Sequence, residues 1–190
     1  MKRQKEGRFI LLMTNLGSKN TWGIVKNGYT IIELIIVLAI VAAMSAATIT
    51  IISNAMNTME LSSAANKVVS DLRYAQNTAS FTGKWIGITF EASPADQYTV
   101  YTTTGTQDIA LVNPTKPSTA FTINLNSDFH VGISAVNISG GSQVEFSPIG
   151  TPYIDKTGAE LAADGTITLN KGAATKTIHI TPVTGRLFIQ

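Results

Sequence analysis

Glu33 has the strongest chemical consequence of any residue in this 190-residue chain. It stands alone at the mouth of an apolar run, Leu34-Ile35-Ile36-Val37-Leu38-Ala39-Ile40-Val41-Ala42-Ala43-Met44, five residues after Gly28 and behind a basic segment. A carboxylate in apolar surroundings must find a partner or a proton, so such a residue marks a functional site by default. The chemistry open to it is pairing with a cation. Catalytic constellations are missing elsewhere. His130 and His179 fall in expected strands and lack a metal-ligand spacing. Asp155, Glu160 and Asp164 gather between Gly150 and Gly165, without the helix-flanked calcium-loop pattern, and read as a solvated acidic loop. There is no cysteine, no G-x-S-x-G and no phosphate-binding glycine loop. The expectation is a non-enzymatic protein with no cofactor and no metal.

The elements that position Glu33 begin with charge. Residues 1–28 carry Lys2, Arg3, Lys5, Arg8, Lys19 and Lys26 against Glu6, whereas the remainder holds eight basic and eleven acidic residues. A basic leader before an apolar run orients that run with its N-terminus in the cytoplasm. Residues 34–52 hold no formal charge. As a helix they would span roughly 28 Å, about a bilayer core. The run is longer than a usual signal-peptide core, and no small-residue exit follows it. No glycine or proline lies between Tyr29 and Gly83, so the spacing predicts one helix over 29–81.

Past the apolar run this helix turns amphipathic. Leu61, Ala65, Val68, Leu72, Ala75 and Ala79 recur at alternating steps of four and three, marking a core-facing stripe. Glu60, Asn66, Lys67, Ser70, Asp71, Arg73, Gln76 and Asn77 are assigned to the remaining surface.

The leader ending in Gly28, the aromatic Tyr29, Glu33 and the long apolar helix resemble the class III signal of type IV pilins. The resemblance implies cleavage by prepilin peptidase between Gly28 and Tyr29, then N-methylation of Tyr29. It makes Glu33 an assembly residue that pairs with the Tyr29 amine of a neighbouring subunit and sets the stagger between subunits. Tyr29 replaces the family's usual phenylalanine, and the leader's charge, Lys26, is displaced by Asn27. The leader is long; a start at Met13 instead of Met1 would leave sixteen residues.

After Gly83 the texture becomes period-two and β-branched. Strands are expected at 85–90, 98–104, 121–126, 130–136, 142–147, 166–170, 177–182 and 186–189, with 104–120 an exposed loop. No long amphipathic helix intervenes, which favours antiparallel sheets. The expected fold is α+β, a long N-terminal helix packed on a mainly antiparallel two-layer β-sheet domain. Its parts are a cleaved leader (1–28), a transmembrane and assembly half-helix (29–52), an amphipathic half (53–82) and a β-rich periplasmic domain (83–190).

The run Asp71-Leu72-Arg73-Tyr74-Ala75-Gln76-Asn77, the segment Phe146-Ser147-Pro148-Ile149-Gly150 and the turn Thr184-Gly185-Arg186 resemble the GspH/FimT pseudopilins. This implies a minor component of a type II secretion pseudopilus, near its tip or initiation point. The alternative is a minor type IV pilin in pilus biogenesis, adhesion or DNA uptake. The implied partners are prepilin peptidase, other pseudopilins or pilins in a helical filament, and inner-membrane lipid before assembly. DNA is not an expected partner. DNA binding needs clustered basic residues, and Lys156, Lys171, Lys176 and Arg186 are scattered along a net acidic domain.

Overall fold

The computed structural model describes residues 28–190, apart from the side chains of residues 46–51. The leader and the choice between Met1 and Met13 lie outside the described residues. The chain divides into two units, one ending at Ser45 and one running from Ala46 to Gln190.

Helix α1 (Ile31–Thr82) begins and ends within two residues of the expected bounds. Its C-terminus is closed by Gly83, whose N–H reaches Ala79 O at 2.9 Å with φ +67°. That left-handed conformation suits glycine as the residue past a helix end.

In the second unit, β1 (Trp85–Glu91), β2 (Gln97–Thr103), β3 (Asp108–Ala110), β4 (Val112–Asn113), β5 (Lys116–Ala120) and β6 (Thr122–Asn124) come first. Then follow α2 (Leu125–Phe129), β7 (Gly132–Asn137), β8 (Gln143–Phe146), β9 (Pro152–Tyr153), β10 (Gly165–Lys171), β11 (Ala174–Ile180) and β12 (Leu187–Ile189). One sheet runs β3-β2-β1-β8-β9, with β6 also on β2. A second runs β12-β11-β10-β7, and β4 and β5 form a small hairpin. Their paired strands are antiparallel.

All six residues of the predicted helix stripe are buried, joined by Ala64 and Val69. They share one core with Ile86, Ile88, Val144 and Phe146 of the first sheet and Ile133, Ile167, Leu169 and Ile178 of the second. The alanines let strand side chains approach the helix closely, and burying each large aliphatic side chain contributes roughly 1.5–3 kcal/mol. The α+β architecture is thus as expected.

Several local expectations fail for identifiable reasons. Residues 104–120 are not one loop, because they contain β3, β4 and β5. These short edge strands are exposed along most of their length, so they lack the alternation that betrays a half-buried strand. Strand 121–126 is cut short because the Asn124 side chain accepts from Ser127 N–H at 2.8 Å and caps α2. His130 is not in a strand. It is the C-cap of α2 at φ 55°, and β7 starts two residues later. Strand β9 has no counterpart among the predicted strands; its Pro152 fits the sheet edge it occupies.

Candidate assembly site

In the first unit, Tyr29 is exposed and Thr30 opens the helix. The Thr30 hydroxyl accepts from Glu33 N–H at 3.3 Å, while Thr30 C=O accepts from Leu34 N–H at 3.2 Å. The T-x-x-E spacing is that of a capping box, a signal in the sequence beyond the charge itself. The glutamate also places an acid where the helix dipole favours one. Its carboxylate is exposed and has no partner among the described residues.

The large aliphatic side chains and Met44 on both sides of Glu33, from Ile31 to Met44, stand 51–80 % exposed. They are uncovered on every face rather than along one stripe, and a helix apolar all round requires apolar surroundings on all sides. Among the described residues no helix is long and apolar enough to cross a membrane; the described side chains of this run stop at Ser45.

In the second unit, the helix is seated by polar contacts that its sequence does not announce. Asp71, expected on the outer surface, is only 5 % exposed. Lys67 Nζ donates to its two oxygens at 2.7 and 2.6 Å, and Tyr98 Oη donates to Oδ2 at 2.5 Å. Lys67 Nζ also lies 5.5 Å from the centre of the Phe121 ring. Burial, and then the Asp71 charge, push the Tyr98 phenol far above its ordinary range, so it stays a donor. Lys171 pairs with Glu60, tying the helix to β10. Gln76 Nε2 donates to Gly150 O at 2.9 Å and Thr184 O at 3.2 Å, fastening two turns to the helix.

A second buried acid, Glu145, lies on the far side of the first sheet. Its neighbours Val144 and Phe146 point into the core, so alternation sends Glu145 outward. It accepts from Tyr101 Oη at 2.9 Å and Lys156 N–H at 2.6 Å. Gly87 is required beneath it, because a Cβ there would collide with the Tyr101 ring. Burial raises the Glu145 carboxyl against the lowering effect of these two donors. Glu145, Asp108, Asp155, Lys156 and Thr103 line a polar cavity of about 190 Å³.

The remaining residues singled out in sequence do not converge. Asp155 accepts from Thr157 N–H and Oγ1 at 2.7 and 2.8 Å, and Glu160 accepts from Tyr153 Oη at 2.8 Å. The ring of His179 stacks on Phe188 at 4.7 Å, and its Nδ1 lies 3.9 Å from Asp164 Oδ2. No cluster of metal-binding side chains occurs among the described residues.

Residues 64–184, more than half of the chain, match the family model described as type II transport protein GspH. No curated protein matches the sequence. The fold is similar to that of the minor pseudopilin EpsH of the type 2 secretion system of Vibrio cholerae. That match has 10 % identity and a TM-score of 0.50, over 69 % of this chain and 96 % of the other. The type IV minor pilin FimU of Pseudomonas aeruginosa aligns at 15 % identity and a TM-score of 0.45, over 68 % of this chain and 92 % of that one.

Proposed function

Since the chain belongs to the GspH family of type II transport proteins and is a minor pseudopilin or minor pilin, we propose that it serves a type II secretion pseudopilus. In this reading it is a structural subunit without catalytic activity. Prepilin peptidase cuts between Gly28 and Tyr29 and methylates the Tyr29 amine. Residues 29–52 rest in the inner membrane before assembly, with the β-rich domain, residues 83–190, in the periplasm. The single observation that carries the assembly role is an apolar helix segment, residues 31–45, uncovered on all faces and opened by a carboxylate with no partner among the described residues.

Assembly would cover those faces with the helices of neighbouring subunits. Glu33 would then sit in low dielectric, where pairing with the Tyr29 amine of a neighbour offsets its desolvation. The pairing is directional and so fixes an axial offset between subunits. Mass spectrometry of the mature protein tests the processing step: the N-terminal peptide should begin with N-methyl-Tyr29. An intact leader, or an unmethylated terminus at another position, would refute it. Secretion restored by this gene in a strain lacking its own copy, with pilus functions untouched, distinguishes the type II system from a type IV pilus.

A further inference from the structure

The Nδ1 atom of His179 is enclosed by protein and has no hydrogen-bond partner, alone in this among the side-chain nitrogens and oxygens of the described residues. Buried polar atoms are nearly always paired, so an orphan requires a physical reason. Ile178 and Ile180 lie in the core, and alternation therefore sets His179 on the outer face of the second sheet. Its cross-strand partner is Phe188, whose ring lies 4.7 Å away and within 3° of parallel. That stacking fixes the plane of the imidazole and the direction in which Nδ1 points. Asp164 Oδ2 stands 3.9 Å from it, about 1 Å beyond a charge-assisted hydrogen bond.

Asp164 ends a short bend, residues 162–164, which is exposed between buried Leu161 and buried Gly165. Both ends are anchored. Leu161 N–H reaches Pro152 O at 3.3 Å, and Gly165 opens β10 opposite Ile180. A Cβ at Gly165 would crowd Leu161, Ile138 and Ile180. The bend itself forms no hydrogen bond among the described residues, so the Asp164 side chain is free to turn.

Few other groups face the ring. Thr166 of β10 stands opposite His179, with Asn137 of β7 beyond it. Thr177 and Thr181 flank it on its own strand. Strand β12 follows the turn 182–185, in which Val183 holds φ +63°, and alternation puts Arg186 on the same face as Phe188. Asp96 lies at the far end of β10, beside Asn170. Asp164 is thus the acid at the His179 end of this face, and Arg186 is its exposed cation.

A neutral imidazole carries one proton, and Nε2, which is not enclosed in this way, can keep it toward water. Nδ1 then presents a lone pair to a carboxylate, and two acceptors stand apart. Protonation puts a hydrogen on Nδ1 and turns that repulsion into attraction. Histidine is the side chain whose ordinary charge change falls between about pH 5 and 8. No third metal-binding side chain joins the pair among the described residues, so it fits a proton better than a metal ion.

We infer that His179 and Asp164 form an acid-operated latch, in which protonation at Nδ1 draws Asp164 in and fixes the 162–164 bend to the second sheet. The charged ring gains a partner that the unfolded chain does not offer. The latch therefore adds stability on the acid side, and its contribution is lost as pH rises.

Thermal unfolding of the full-length protein in detergent, at about pH 5.5 and about pH 8, tests the latch. On acidification the parent's midpoint should rise by about 2–4 °C more than that of His179→Gln or of Asp164→Asn. The two changes together should lose no more than either alone, because the increment belongs to the pair. Glu145 is common to all four proteins and cancels in the comparison. An increment kept in full by either single variant, or two losses that add, would overturn the inference. Nitrogen-15 spectra of the parent give a readout that needs no variant to fold. The chain has two histidines, so His179 is assigned by the signal that His130→Gln retains. Its Nδ1 should carry a hydrogen-bonded proton at the acid pH and none at the alkaline one. A proton there at both, or at neither, would equally refute the latch.

Discussion

The Tyr98 hydroxyl donates to Asp71 Oδ2 at 2.5 Å across 27 positions of sequence, joining the helix to the second strand of the first sheet. With Lys67 on both carboxylate oxygens, the acid is supplied with three short contacts and can be buried. Removing one donor leaves part of that charge unsatisfied.

Tyr98→Phe should therefore destabilise the β-rich unit by about 1–3 kcal/mol, read as a lower urea midpoint at constant slope. Asp71→Leu combined with Tyr98→Phe should cost less than the two single changes summed, because the pair is removed together. Strict additivity would mean that the contact contributes nothing as a pair.

Glu145 gives a pH signature of definite sign. Its folded-state pKa is raised above the ordinary 4.5, chiefly by burial, so the folded protein holds that proton more tightly than the unfolded chain. The stabilisation from this group is complete below pH 4.5 and is lost as pH climbs through the raised value. Glu145→Gln should flatten the melting temperature against pH just above 4.5. An unchanged slope in that window would assign the dependence to other groups.

Val183→Gly should relieve the left-handed strain and raise stability by roughly 1 kcal/mol less the added chain entropy, a near-neutral change in melting temperature. Loss of stability beyond about 1 kcal/mol would show that the valine is there for packing.

Glu33→Gln keeps the size and polarity of the side chain and removes its charge. Cleavage and methylation should proceed as in the parent. Incorporation into filaments should fall about a hundredfold or more, in line with the ~3–5 kcal/mol for breaking a buried pair. Wild-type incorporation would leave Glu33 as the third residue of a helix cap and nothing else.

The parts of the fold legible in the sequence are those governed by one period or one local signal. The stripe from Leu61 to Ala79 could be traced because every member faces the same core, and Gly83 marked the helix end. The T-x-x-E spacing at Thr30 and Glu33, of which the Thr30 hydroxyl to Glu33 N–H half is formed, is an equally local signal. The burial of Asp71 is not legible, because a carboxylate is buried only by partners and its second partner, Tyr98, is distant in sequence. The cap at His130 is hidden too, since a left-handed residue after a five-residue helix leaves no periodicity. Strands β3 and β5 sit at edges where neither face is covered, so their composition follows solvent.

The first unit of the helix is uncovered on all sides, and this has a rotational consequence. A rod that is equally apolar at every azimuth can turn about its own axis with little change in energy, whether in lipid or among other helices. Hydrophobicity can hold such a rod but cannot clock it. Among the described residues of this unit Glu33 is the one charged side chain, so a cation paired with it would supply the angular reference that the apolar surface lacks.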